Sequence, residues 1–416
     1  VDKKEVKDLS IYAKKFDEDV ASFREFEALD YVRSLKNQNQ LDEAIEVGKT
    51  FLETRPDLKA YINQYGYALY NKFIKEGVTE TVSETTFFEI AEEILNTCKQ
   101  ERFSPYEATC NAVIRQAMRK EPVDYATIHA YLEKLDVTLL SKEPYVAEGK
   151  KEGESKFERW YRLNARACFE IGDYKRCIEI ANQAMTLNIK WHHRNAYWIR
   201  YYRAKAHLKL EQYDECEKEY LALQTQFFDV DFYKDLYSIY ASLQQDQKAN
   251  AYLLYDVYNS GYDKKQTQLY TLLLEASKKA GQTKIVALLE AMLLKFQEEA
   301  GKTVEVEEAY KDKDSGALYD LMIDEVTRHL DAYIERKHGK VVHYNQEKQL
   351  GTILVANETP SVFFRQADFI YDEEVRRYQR VDFTEINTYD TKKQVMTSKA
   401  ILILESEDED ELNFNY

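Results

Sequence analysis

The side chains best suited to chemistry are few and scattered in this sequence, with 7 histidines and 5 cysteines among 416 residues. Cys98, Cys110, Cys168, Cys177 and Cys216 are odd in number and contain no CxxC pair, which argues against a disulfide framework and against a zinc cluster. They read as small buried hydrophobes. His192 and His193 are adjacent but have no third metal ligand nearby in sequence, so the pair reads as a turn or cap before the next helix. No Gly-rich phosphate loop, HExxH helix or nucleophile elbow occurs. The expectation is therefore no catalytic residue, no metal and no cofactor. Cations and aromatics offer another chemistry. Residues 189–210 contain no Asp or Glu but carry Trp198, Tyr201, Lys205 and Lys209. Such a segment suits an anion, because Arg and Lys bind carboxylate or phosphate while Trp and Tyr supply stacking surfaces.

That basic segment stands out against an acidic chain. The net charge is -16, from 74 acids and 58 bases, and it disfavours indiscriminate attachment to nucleic acid or anionic membrane. Any anion site must be a local patch. No apolar run reaches the roughly 18 residues that a membrane span requires, and the first residues, Val1-Asp2-Lys3-Lys4-Glu5, are charged. The sequence alone points to a soluble, cytoplasmic protein with no membrane partner. Its length suits two or three structural units. With only 12 Gly and 5 Pro but 33 Tyr, long helices packed through aromatic side chains are expected.

The elements that position the cations recur. Tyr161 to Tyr174 reads as a helix ending in a turn at Gly172-Asp173, and a second helix follows with Cys177, Ala181 and Ala184 on one stripe. The next unit repeats this with Ala204 as the small residue, a turn at Glu211-Gln212-Tyr213, then Cys216, Tyr220 and Leu223. Weaker copies turn near Gln245-Asp246, before Ala249, and at Gly281 to Thr283, before Ala287, Ala291 and Leu294. The steps between turns, 39, 33 and 37 residues, bracket the period of about 34 of the tetratricopeptide repeat, which these units resemble. Upstream, Leu41, Ala44, Gly48 and Phe51, then Ile62, Tyr65, Gly66 and Leu69, resemble the same pattern with altered bulk. Residues 70–156 fit it least well, and 141–156 reads as a charged linker.

The resemblance implies a solenoid in which the first helix of each unit faces a groove. Offsets of -6, -3, +1 and +5 from the small residue share about one quadrant of a helix turning 100° per residue. From Ala165 they select Arg159, Arg162 and Arg166; from Ala204 they select Trp198, Tyr201, Lys205 and Lys209. The expected groove is one anion-binding surface for an anionic segment of a protein partner or for nucleic acid. On the same helix, Arg200 and His207 share an R-x6-H spacing seen in some helical ribonucleases, a remote alternative.

A final amphipathic helix, with Leu318, Leu321, Met322, Val326, Leu330 and Ile334 on its stripe, gives way to short strands near His338. Gly339 to Ile353 resembles the opening of a cold-shock domain, G-x-V-K-W-F-N-x-E-K-G-F-G-F-I. Ser361 to Gln366 resembles D-V-F-V-H-F, and Tyr378 to Phe383 stands where the family has G-Q-x-V-x-F. The resemblance implies a five-stranded antiparallel barrel of the oligonucleotide-binding class that holds single-stranded RNA on surface aromatics. Lys340, His343, Tyr344, Lys348, Phe363 and Arg365 occupy the matching positions, with His343 replacing the family tryptophan. Residues 405–416 carry six acids and read as a disordered tail able to compete for the basic groove.

The expected fold is thus mainly α: irregular helical repeats over 1–156, tetratricopeptide-like repeats and a connecting helix over 157–337, a cold-shock-like barrel over 338–404, and the tail. The expected function is a non-catalytic adaptor. Its alternative is a pure protein-interaction scaffold whose barrel no longer binds nucleic acid.

Overall fold

Residues 9–146, 152–227, 232–355, 361–371 and 374–406 are described by a computed structural model, and they form two compact units, 1–211 and 212–416. The first unit contains α1 (Ser10–Glu18), α2 (Glu25–Asn37), α3 (Leu41–Thr54), α4 (Ile62–Leu69), α5 (Glu84–Thr97), α6 (Tyr106–Met118), α7 (Tyr125–Glu133), α8 (Lys156–Glu170), α9 (Tyr174–Thr186) and α10 (Asn195–Lys209). From α2 onward each helix packs on its successor, and α10 returns to pack on α8 as well as α9. In the second unit, α11 (Tyr213–Gln226), α12 (Tyr233–Ser242), α13 (Asp246–Ser260), α14 (Thr267–Lys279), α15 (Thr283–Glu299) and α16 (Ser315–Arg328) precede the strands.

Local chemistry sets the helix pairs. The chain leaves α8 through Gly172, whose φ of +86° suits a residue without a side chain, and Asp173 then caps α9 by accepting from the Arg176 N–H. So short a turn makes α9 run back along α8. Ala165, Cys177, Ala181 and Ala184 are fully buried where the two meet. The second helices of the four proposed repeats begin at Tyr174, Tyr213, Asp246 and Thr283, the positions at which the sequence pattern turns. Gly48 and Gly66 serve the same close approach upstream, because a Cβ on Gly48 would lie 2.4 Å from the Tyr65 ring. Some faces rotate from expectation. On α15 the buried stripe runs through Ile285, Leu288, Leu289 and Met292, while Ala287 and Leu294 are only half-buried. Leu321 on α16 is exposed.

The five strands are β1 (Lys337–Asn345), β2 (Leu350–Val355), β3 (Val362–Arg365), β4 (Arg380–Asp390) and β5 (Val395–Glu405). They pair in the order β1-β2-β3-β5-β4, and β4 pairs back onto β1. The expectation of a wholly antiparallel sheet is corrected here: β3 and β5 run parallel, with Phe363 opposite Lys399, so the sheet is mixed. Parallel neighbours require the longer crossover that β4 supplies. Val341, Ile353, Phe364, Val381, Phe383 and Ile403 fill its interior. Within this unit β4 lies against α11 and α13. There Lys399 Nζ sits 2.6 Å from Asp368 Oδ1 and donates to the Tyr255 hydroxyl, all three groups being buried. Glu217 of α11, equally buried, accepts from Tyr252 (2.5 Å), Lys248 (3.0 Å) and Asn387 (3.0 Å). The proposed acidic tail falls mostly outside the described residues; Glu405 is the last residue of β5, and residues 407–416 are not described.

Candidate functional site

Four of the seven residues expected in the groove line one cleft in the first unit. Ser155 caps α8 by accepting from the Glu158 N–H, and spacings of three and four then place Arg159, Arg162 and Arg166 along one side of the helix. The opposite side buries Phe157, Tyr161 and Cys168. With Trp198 of α10 these arginines border a cleft of about 590 Å3, which also takes in Glu154, Asn195 and Tyr202. That volume is ordinary for a binding site.

Glu154 holds the centre of this arrangement. Its Oε1 accepts from Arg159 Nε (2.9 Å) and Arg162 Nη2 (2.7 Å). Its Oε2 accepts from Arg162 Nε and from Asn195 Nδ2, both at 2.9 Å. Arg162 thus grips the carboxylate in the two-pronged manner that suits a guanidinium. Burial pushes the Glu154 carboxyl up, yet Arg162 and then Arg159 outweigh it and hold it below the usual glutamate range. Asn195 also donates to Glu158 Oε1 (2.8 Å), and this second, fully buried carboxylate lies 2.8 Å from His192 Nδ1. His192 is anchored to Glu158, while His193, which also borders the cleft, and Arg194 take left-handed conformations that lead into α10.

The other cations behave differently. Arg166 lies over the rings of Tyr125 (5.3 Å) and Tyr202 (5.9 Å), and it pairs with the Glu170 carboxylate at 3.8 Å. Lys205 sits over Phe169 (4.9 Å) and Tyr201 (5.3 Å). Tyr201, Lys205 and Lys209 lie outside the cleft lining, so the five expected cations divide rather than forming one trough. Lys209, the exposed last residue of α10, makes no ion pair among the described residues. Sequence reasoning missed Glu154, Asn195 and Tyr202. Glu154 sits in a charged stretch with no periodicity to mark it.

The sheet also rearranges its expected surface. A bulge in β1 between Val341 and His343 shifts the alternation by one residue. Tyr344 consequently turns inward, parallel to Phe364 at 6.2 Å, with its hydroxyl donating to Gln366. It faces Gly351, where a Cβ would lie 2.7 Å from the Phe364 ring. Tyr344 is therefore not part of an outer stacking face. His343, Lys348 and Arg365 are exposed and Phe363 is half-buried. Lys399, opposite Phe363, is covered by Tyr255 of α13. Lys340 lies instead beside Tyr378, its Nζ 5.1 Å from the ring centre.

A second cavity, of about 460 Å3, lies between α13 and β4, but its cations are matched by acids: Lys248 with Glu217, and Lys337 with Glu385. Burial pushes each of the five thiols up to about 12, which leaves them poor nucleophiles. Among the described residues no group of three or more His, Cys, Asp or Glu is placed to hold a metal, and no helix is long and apolar enough to cross a membrane. No protein family model matches the chain, and no curated protein is found to be similar to it.

Proposed function

We propose that this protein is a non-catalytic binding adaptor whose first unit captures a carboxylate-bearing protein segment in the arginine cleft. The helix pairs are read as tetratricopeptide-like repeats, and the closed sheet as a member of the oligonucleotide-binding class that contacts single-stranded RNA. Support for the first comes from the four second helices that start where the repeat pattern turns. Support for the second is a five-stranded sheet whose fourth and fifth strands exchange order, as in a Greek-key closure.

One observation carries the adaptor reading: the cleft already grips a carboxylate of its own chain. Glu154 uses one nitrogen of Arg159 and two of Arg162, and among the described residues Arg166 meets two aromatic faces and one acid, Glu170, at 3.8 Å. Donors therefore remain for a second anion, beside the half-exposed Trp198. Arginine supplies the fork and the indole supplies the contact area that make such sites selective.

Titration of a fluorescein-labelled glutamate-rich peptide against the full chain tests this reading. Arg166→Ala, which leaves the Glu154 clamp intact, should weaken binding about tenfold or more, as expected for losing a charge-assisted hydrogen bond. An unchanged affinity would remove the cleft from consideration. The second reading, a scaffold with no nucleic-acid role, gains ground if labelled oligouridine fails to bind the full chain at low salt.

A further inference from the structure

The loop that leads into β4 is built to hold one aromatic side chain outward. Val375 and Gln379 are buried and anchor the loop from within, and the Arg376 N–H donates to Gln379 Oε1 (3.0 Å). Tyr378 N–H donates to Val341 O (2.7 Å) and Val341 N–H donates to Gln379 O (2.9 Å), so the loop is stitched to β1 on both sides of the tyrosine. Between these bonds Tyr378 adopts a φ of +69°. Side chains with a Cβ seldom accept that region, and it is tolerated where surrounding structure imposes it. Glycine is the residue that suits it, and glycine is what the matched G-Q-x-V-x-F motif carries at this place. A tyrosine here therefore works against the backbone, and the residue is 51% exposed, so burial offsets only part of that cost.

What the ring does hold is charge. Lys340 Nζ lies 5.1 Å from its centre and the Arg377 guanidinium carbon 4.8 Å, with Arg377 Nε steadied by Val342 O at 3.2 Å. The run around the tyrosine reads Arg-Arg-Tyr-Gln-Arg in a chain of net charge -16, and its first arginine, Arg376, is paired with Glu405 at 3.0 Å. A stiffly presented aromatic edged by cations matches an alternating ligand, flat base then phosphate.

We infer that Tyr378, with Lys340 and Arg377 about its ring, is a contact site for single-stranded nucleic acid, one base against the tyrosine and the adjoining phosphates against the cations. This rests on reading the sheet as an oligonucleotide-binding one, and it assigns the contact to the β1–β4 side instead of the Phe363 face. An acidic peptide is the less fitting ligand, since it offers charge without a flat ring.

The test uses the full chain, fluorescein-labelled oligouridine and oligothymidine of about ten nucleotides, and anisotropy over a salt series. Tyr378→Gly should keep or raise the melting temperature by relieving the left-handed residue, and should weaken binding about fivefold to 100-fold, the loss of one stacked base. Lys340→Gln with Arg377→Gln, a surface change that leaves the tyrosine in place, should flatten the log–log salt dependence by about 1.4, two phosphates at 0.7 each. Tyr378→Gly binding as tightly as wild type, while Phe363→Ala or Arg162→Ala abolishes binding, overturns this site but keeps nucleic-acid binding elsewhere. A glutamate-rich peptide displacing the oligomer from Tyr378 equally well also overturns it. No oligonucleotide binding by the wild-type chain at low salt overturns both this site and the reading it rests on.

Discussion

Each unit of this molecule contains carboxylates held by several donors, and the two sets differ in what surrounds them. In the first unit, Glu154 is clamped by Arg159, Arg162 and Asn195 at the wall of an open cleft, and the arginines keep 49% and 28% of their side-chain surface in water. In the second, Asp368 faces Lys399 and Tyr255, and Glu217 faces Tyr252, Lys248 and Asn387, all where helices meet the sheet. Similar chemistry serves opposite ends. A clamp that touches water can exchange its anion for another. A sealed pair holds elements in register, because breaking it strands a charge that water cannot reach.

The strongest way to break this comparison is Lys399→Met. It should destabilise the second unit by about 3–5 kcal/mol, because Asp368 is left as an unpaired buried charge. Thermal denaturation would show a matching fall in the melting temperature. Adding Asp368→Asn should restore part of the loss, because it removes the charge and keeps an acceptor for the Tyr255 hydroxyl or the Arg365 N–H, and a single variant as stable as wild type would mean that water reaches the pair. Burial already pulls the Lys399 amine below its usual range against the opposing pull of Asp368, which agrees with a sealed site.

A smaller loss is expected from Glu217→Leu. Here the Tyr252 hydroxyl and the Asn387 amide lose their acceptor, and the cost should be about 1–3 kcal/mol by urea unfolding. Lys248 remains part-exposed over the Tyr240 ring and can turn to solvent. If this variant were the more damaging of the two, the ranking of sealed charge above sealed hydrogen bond would fail.

The open clamp should respond in affinity rather than in stability. Glu154→Gln is expected to change unfolding by less than about 1 kcal/mol, since partly exposed ion pairs contribute little. It should also tighten the glutamate-rich peptide several-fold by releasing Arg159 and Arg162. Weaker peptide binding in this variant would show that Glu154 shapes the site instead of occupying it.

The smallest effect is one of pH. The Glu154 carboxyl is held below its ordinary value in the folded chain, so its contribution is complete above the ordinary glutamate range and disappears as pH falls through the lowered value. Gly153 N–H, bonded to Tyr145 O at 2.8 Å, reports on this segment. Its hydrogen-exchange protection, corrected for intrinsic rate, should fall on acidification in wild type but stay flat in Glu154→Gln. Equal acid sensitivity in both would assign the change to another carboxyl.

Much of the helical architecture was legible because its signals are local. Gly172 and Asp173 end one helix and begin the next by their own backbone preferences, and the small residues at 165, 177, 181 and 184 mark where two helices touch. The three arginines of α8 were legible as one face for the same reason. Glu154 was not, because its partners lie on the α8 turn after it and on α10, and only the folded chain brings these together. The family resemblance puts Tyr344 on an outer stacking face, but the bulge in β1 turns it toward Phe364, and nothing in the matched residues marks that bulge.

The sequence by itself determined where the second helix of each C-terminal pair starts, which small residues pack between α8 and α9, that a small sheet follows the helices, and which segments are basic. Those properties follow from turn chemistry and from periodicity over a few residues. Tertiary structure alone decided that β3 runs parallel to β5, that Glu154 fills the arginine clamp, that Lys399 is sealed beneath α13, and that Tyr378 rather than Tyr344 faces outward. Each of these depends on groups far apart in the chain, and their free energy is set by how much water the finished packing leaves around them.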